Sequence, residues 1–204
     1  MRTIFRITVV LLLVAAFSAS AMAQKHELAL TLGGNFPKND QANPGNSFAV
    51  GAQYDGRIFH VPTLALYLDV PIVVATNTSF NSPSPLLCPI PTCPAFVRDN
   101  YRSFFFTPGV KLRFGAPAVP FQPYVVGGVG LAHYSTAGNT FFGPNSSNKA
   151  VFEVGGGVDI KLVPHVGLRG EVRDFISGTP NLAAVTNTGH QHNIAPQVGL
   201  VFKF

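Results

Sequence analysis

From His26 to the carboxyl terminus, apolar side chains recur at every second residue through about eight segments, and the connections between them alternate long and short. A strand throws successive side chains to opposite faces, so the pattern describes two-faced strands. Helices, whose apolar positions recur every three or four residues, do not produce it. The last stretch is the clearest case. Ile194, Pro196, Val198, Leu200, Phe202 and Phe204 make one set; Asn193, Ala195, Gln197, Gly199, Val201 and Lys203 make the other. The segments run to about 10–13 residues, near the ~9–11 that a tilted strand needs to cross a bilayer and well above the globular mean of ~5–6.

The segments can be placed in order. The first runs near His26–Phe36 and the second near Phe48–Phe59, and a short turn over His60–Thr63 leads to the third. A long Asn-, Ser- and Pro-rich stretch from Thr76 to about Arg102 reads as a loop, and the fourth segment follows as far as Phe114. The fifth covers Tyr124–Tyr134, its period blurred by glycines. The sixth carries Phe152, Val154, Val158, Ile160 and Leu162 on one face, and Pro164-His165 turns the chain into the seventh. A loop to about Gln191 reaches the last. Long and short connections in strict alternation predict an up-and-down barrel with both termini at the short-turn end. Pro71, Pro108, Pro123 and Pro196 each remove a ladder hydrogen bond, so bulges or shortened strands are expected at some of them.

Period two alone does not say which face points outward, and a soluble, lipocalin-like exported barrel would show the same alternation inverted. Three features favour lipid outside. The polar face collects Glu27, Asp55, Asp69, Glu153, Asp159 and Glu171 against Arg57, Lys111, Arg113, Lys161, Arg169, Arg173 and Lys203, nearly balanced as a narrow lumen requires. Gly51, Gly109, Gly155, Gly157 and Gly199 share that face and leave room for long side chains. Phe36, Phe48, Phe104, Phe114, Phe152, Phe202 and Phe204 fall near segment ends, where aromatic girdles belong. Composition agrees: charged residues are 11% of the chain, against ~25% in ordinary soluble domains. Mean hydropathy is positive at +0.28.

Residues 1–23 read as a leader. Arg2 and Arg6 precede a short apolar run, Val9 to Phe17, and Ala21-Met22-Ala23 is a small-residue cleavage pattern, so residues 24–204 are expected to form the barrel domain. The apolar run is too short for a spanning helix. Without its two leader arginines the chain has 12 basic and 9 acidic residues (14 − 2 and 9) and no basic run, an excess too small to argue for nucleic acid, so no nucleic-acid partner is expected.

The length, the alternation and the terminal Phe204 with apolar residues two, four and six places before it resemble the small eight-stranded outer-membrane β-barrels of Gram-negative bacteria, the OmpX-like and OmpA membrane-domain family. The likeness covers about Gln24 to Phe204. It implies an all-β fold, an eight-stranded antiparallel up-and-down transmembrane barrel in the cell outer membrane. Outer-membrane lipid and lipopolysaccharide are then the surroundings, and the barrel is expected to be a monomer. In that family the last strand is read by the barrel assembly machinery, which makes Phe204 an assembly signal.

The resemblance implies little about activity. Several groups could carry chemistry. The glycine runs 127–130 and 155–157 lack the following helix that a phosphate loop needs, and read as close strand packing. His133 and Ser135 share the outward face, and a lipid A deacylase family with the same barrel uses a His-x-Ser pair with an acid. Thr136 stands here where that family has asparagine, and no acid lies nearby on that face. His190 and His192 lack a visible third metal ligand. The leading expectation is therefore a non-enzymatic barrel without cofactor, structural or adhesive through its external loops, with a charge network of Glu153, Asp159, Arg169, Glu171 and Arg173 in its lumen. A narrow channel, the esterase and a soluble ligand-binding barrel are the alternatives.

Cys88 and Cys93 flank Pro89-Ile90-Pro91-Thr92 in the longest loop, and an exported protein keeps disulfides. They are expected to be bridged in the mature protein. Alkylation without reductant should leave both thiols unlabelled; full labelling of both would refute the bridge. Because the closed loop is short, reduction should loosen the loop more than it lowers global stability.

Overall fold

A computed structural model describes residues 25–39, 44–83, 96–115, 120–136, 146–182 and 189–204; over 80–83 and 96–99 only the backbone is described. The expected leader, residues 1–23, and both cysteines lie outside these residues. Among the described residues there are nine strands: β1 (His26–Asn39), β2 (Ser47–Val61), β3 (Leu64–Pro83), β4 (Phe96–Phe106), β5 (Gly109–Phe114), β6 (Phe121–Thr136), β7 (Ser146–Val163), β8 (Val166–Gly178) and β9 (His190–Lys203). All pairings are antiparallel. Each strand pairs with its sequence neighbour, except that β4 and β5 lie end to end and both sit between β3 and β6. They are two halves of one stave, interrupted at Thr107-Pro108.

The sheet therefore closes as an eight-stave barrel, with β1 paired to β9 from Glu27↔Lys203 to Asn39↔Gln191. Two backbone bonds between His26 and Phe204, at 3.0 and 2.9 Å, tie the chain ends together. Gly199 makes the seam possible. A Cβ there would lie 1.9 Å from the Leu30 carbonyl oxygen, so any side chain would force β1 and β9 apart.

Of the four prolines, Pro108 breaks its strand, whereas Pro71, Pro123 and Pro196 sit in register opposite Gln53, Val158 and Val172. Pro108 still contributes through its carbonyl, which accepts from the Val129 amide at 3.2 Å.

The described parts of the stretch from Thr76 to Arg102, residues 76–83 and 96–102, are strand, contrary to the loop expected from its composition. β3 continues to Pro83 and β4 starts at Phe96, and they pair along Thr78↔Tyr101 to Pro83↔Phe96. The register shifts between Ala75 and Thr78, where Asn77 has φ of 60°. Asn tolerates this left-handed conformation better than other side chains, which lets the strand absorb the extra residue of a bulge there. Composition misled because Asn, Ser and Pro weaken a strand without forbidding one whose partner is supplied by tertiary pairing.

The faces fall as the alternation predicts. Leu30, Leu32, Val129 and Leu131 on the outer wall are 54–64% exposed, whereas Glu27, Asp55, Asp69, Arg169 and Arg173 are at most 2% exposed inside. A continuous apolar outer surface of this kind belongs in hydrocarbon. Two expected lumen residues depart from this pattern. Lys161 is exposed at the short-turn rim, and Arg57, next to a register shift between Arg57 and Phe59, is only half-buried. Both lie where the strands leave the barrel and the inside–outside distinction lapses. The girdle assignment needs one amendment: Phe152 faces outward but lies well inside the longer strand β7, not at its end.

Candidate functional site

The lumen is filled in two layers. Toward the short-turn end lies an ionic network fed by every stave. Asp159 of β7 is gripped by the Arg169 guanidinium through Nε at 2.8 Å and Nη2 at 3.0 Å. Arg169 also donates to Gln53 at 2.6 Å and to Asp55 at 3.1 Å, both on β2 across the lumen. Arg113 of β5 takes both oxygens of Glu27, reaches Asp159 at 2.7 Å and donates to the Tyr67 hydroxyl at 2.9 Å. Lys111 donates to Asp55.

Arg173 is the second hub. Its Nη1 donates to Asp69 at 2.8 Å and to Glu153, and its Nε lies 3.1 Å from a Glu171 oxygen. Glu171 accepts from Tyr124 at 2.8 Å and from Gln53. Glu153 also accepts from Thr107, at the point where β4 gives way to β5. Thus Glu153, Asp159, Arg169, Glu171 and Arg173 stand in one connected cluster. The acids on β2 and β3 and the cations on β5 complete it from the far wall.

The cross-lumen partners follow from size. An eight-stave barrel is narrow enough for an arginine to reach the opposite stave, so pairing is not confined to adjacent strands. Guanidinium planes also lie over tyrosines: Arg113 is 4.5 Å from the Tyr67 centroid and Arg169 5.3 Å from that of Tyr124. Such stacking supplies contacts that leave the N–H fork free for carboxylates.

Toward the long-connection end the lumen is apolar and aromatic. Phe105 and Phe175 stack with centroids 4.6 Å apart, and Tyr134 stands edge-on to Phe105 at 6.0 Å. Val73, Ala49, Ala75, Val151 and Ala195 fill around them. The tyrosine hydroxyls are satisfied. Tyr134 is 2.7 Å from the Ser177 hydroxyl, and Tyr101 accepts from Gln191 at 3.2 Å. Reading the inward face as polar or small missed this layer. The signal was available, since Phe105 lies between inward Ser103 and Thr107, and Phe175 between inward Arg173 and Ser177.

On the outer wall, His133 of β6 is exposed and its Nδ1 lies 2.6 Å from the Asn148 side-chain oxygen. Ser135 stands two residues further on, opposite Ser146. The histidine–carboxylate pair on this wall is a different one: His192 Nδ1 lies 2.7 Å from Asp174, on β9 and β8. The structure does not bring His133, Ser135 and an acid together among the described residues.

Phe204 lies half-buried at the seam. Beyond its two backbone bonds to His26, its ring stacks on the His26 imidazole at 6.0 Å, and that imidazole bonds the Tyr54 hydroxyl at 2.7 Å. The terminal residue therefore joins β1, β2 and β9.

Two outcomes are expected. Arg173→Met leaves Asp69, Glu153 and Glu171 without their shared cation and should destabilise the barrel by about 3–5 kcal/mol in urea unfolding from detergent micelles. A loss below ~1 kcal/mol would mean that the network is slack. Deleting Phe204 removes one aromatic burial worth ~1.5–3 kcal/mol, so refolding into detergent should be largely kept. Assembly in cells should fall further than that, with periplasmic accumulation on fractionation. Unchanged cellular assembly would end the signal role.

Among solved structures, that of Neisserial surface protein A superposes with a TM-score of 0.59 at 15% identity, covering 88% of this chain and 97% of the other. The attachment invasion locus protein Ail of Yersinia pestis gives 0.46 at 12% identity, over 88% and 99% of the two chains. OprG of Pseudomonas aeruginosa gives 0.44 at 16%, over 89% and 97%. At such identities the likeness is one of fold. No curated protein sequence matches the chain. The pattern of the family described as outer membrane protein beta-barrel domain matches residues 9–204. With a closed eight-stave barrel, an apolar outer wall and that match, the chain belongs to the outer membrane protein β-barrel domain family and is an integral barrel of the outer membrane.

Proposed function

We propose that the protein is a non-enzymatic surface barrel whose work is done by the segments that rise above the outer leaflet, with a lumen that serves stability and not transport. The observation that carries this reading is the filled interior. Stacked Phe105 and Phe175 occupy the axis on one side, and the Arg169 and Arg173 clusters occupy it on the other. An ion crossing here would have to part both layers. The β3–β4 hairpin supports the surface role. At ~3.3 Å per residue the 20 residues of β3 extend about 65 Å, far more than a tilted strand needs for a ~25 Å apolar band.

In this reading the apolar wall is solvated by outer-membrane lipid and lipopolysaccharide, the barrel acts as a monomer, and the assembly machinery is its partner only during biogenesis. The hairpin meets partners outside the cell. Planar-bilayer recording tests the closed lumen: purified protein should give no discrete conductance steps above the lipid background. Bacteria displaying the chain should attach to cultured cells or matrix-coated surfaces more than bacteria displaying a variant lacking residues 79–100. Regular single-channel openings together with equal attachment by the two strains would replace this proposal with a channel.

A further inference from the structure

The short-turn mouth of the lumen opens into a cavity of about 320 Å³ that the ionic network does not fill. Four cationic side chains line it, Arg57 of β2, Arg113 of β5, Lys161 of β7 and Lys203 of β9, together with His60; among the described residues the one acid in the lining is Glu27. Four positive charges thus face one negative. Glu27 is already held by Arg113 through both oxygens and lies 3.7 Å from Lys203 and 3.8 Å from Lys111. It has little left to offer Lys161.

Among the described residues the other acid side chains are engaged away from this mouth: Asp55, Asp69, Glu153, Asp159 and Glu171 inside the network and Asp174 on the outer wall. The connecting residues 62–63, 115–120 and 164–165 contain no Asp or Glu, whereas Lys25, Arg57, Lys161 and Lys203 stand at this end. Donor capacity remains as well. The Nε–H of Arg113, on a side chain 6% exposed, has no hydrogen-bond partner among the described residues. The Lys203 ammonium has three protons and gives one to Gln122 at 3.1 Å.

We propose that this vestibule is a binding site for a phosphate group presented from the periplasmic side, formed by Arg57, Arg113, Lys161 and Lys203. Charge-assisted bonds to these cations would hold the anion in a low-dielectric mouth, where they are stronger than at an open surface. The donors come from four staves around the rim, which suits a tetrahedral oxyanion that accepts from several directions. A planar carboxylate is better matched by a single guanidinium fork, and that arrangement is already used between Arg113 and Glu27. The cavity leaves room for a small organic phosphate as well as the free ion. Because Lys161 and His60 on its lining are exposed at the short-turn rim, a soluble phosphate has direct access to it.

The test is calorimetric titration of the folded barrel with inorganic phosphate and with glycerol phosphate, against chloride at equal ionic strength. Saturable one-to-one binding is expected in zwitterionic detergent. The double variant Arg57→Gln/Lys161→Gln should weaken it at least tenfold, and Lys38→Gln, on the outer wall near the other end of β1, should leave it unchanged. Folding of each variant is checked by heat-dependent gel mobility; if the double variant does not fold, Lys161→Gln alone, at an exposed rim position, serves for the same comparison with at least a threefold loss. Nanodiscs with and without phosphatidylglycerol separate the two sources of phosphate: unchanged affinity assigns a soluble ligand, and competition by the anionic lipid assigns a headgroup. Binding no stronger than chloride, or binding untouched by the rim substitutions, overturns the site.

Discussion

Hydrocarbon accepts no hydrogen bonds, and every other property of this barrel is subordinate to that fact. A strand in lipid must place each amide and carbonyl on a neighbouring strand, and the only sheet that can do so throughout is one without edges. The β1–β9 seam, from Glu27↔Lys203 to Asn39↔Gln191, is where that demand is met. Gly199 lets the two backbones come close enough, and the paired bonds of His26 with Phe204 finish the ladder at its last residue. Pro108 shows how much deviation the rule permits. The stave is broken there, but the Pro108 carbonyl is still taken by Val129 and Thr107 turns inward to Glu153.

Closure at eight staves sets the diameter, and the diameter dictates the contents. The interior is wide enough for side chains and too narrow for a column of bulk water. Charges placed there are cut off from solvent, so each must find a partner or carry a desolvation cost of several kcal/mol. This accounts for hubs in place of isolated pairs. Arg173 serves Asp69, Glu153 and Glu171 together, and Arg169 serves Asp159 and Asp55. Among the buried residues six acids face five bases, Lys111, Arg113, Arg169, Arg173 and Lys203, so no cation can be removed without stranding an acid.

Most of the architecture was legible in the order of the residues because period two is a property of the strand itself. Leu28, Leu30 and Leu32 against Glu27 and Thr31 need no partner to declare their faces. The alternation of long and short connections likewise reports topology directly. What was not legible depends on other strands. That Arg173 meets Asp69 on β3 depends on curvature and diameter, which no single strand encodes. The aromatic layer is a different case: the inward parity of Phe105 and Phe175 is in the sequence, and only the expectation that inward positions are polar or small hid it. The upper hairpin was lost to composition, since Asn81 and Pro83 read as breakers until β4 supplies their partners.

The two layers of the lumen also divide it by chemistry, and the order is physically apt. The external end, nearest the loops, is stopped with aromatic rings whose packing excludes water and solutes alike. The inner end is ionic and grades into a cationic mouth at Arg57, Lys161 and Lys203. Reversing the order would put the ion network beneath the open outer surface, where salt and water could enter and screen it. As built, the rings shield the network from the external medium, and the lumen charges that stay open to water, Arg57 and Lys161, lie at the short-turn mouth. Each layer thus depends on the other. The aromatic stopper keeps the local dielectric low enough for Arg169 and Arg173 to bind their acids firmly, and those ion pairs pin the staves at the spacing that lets Phe105 and Phe175 stack.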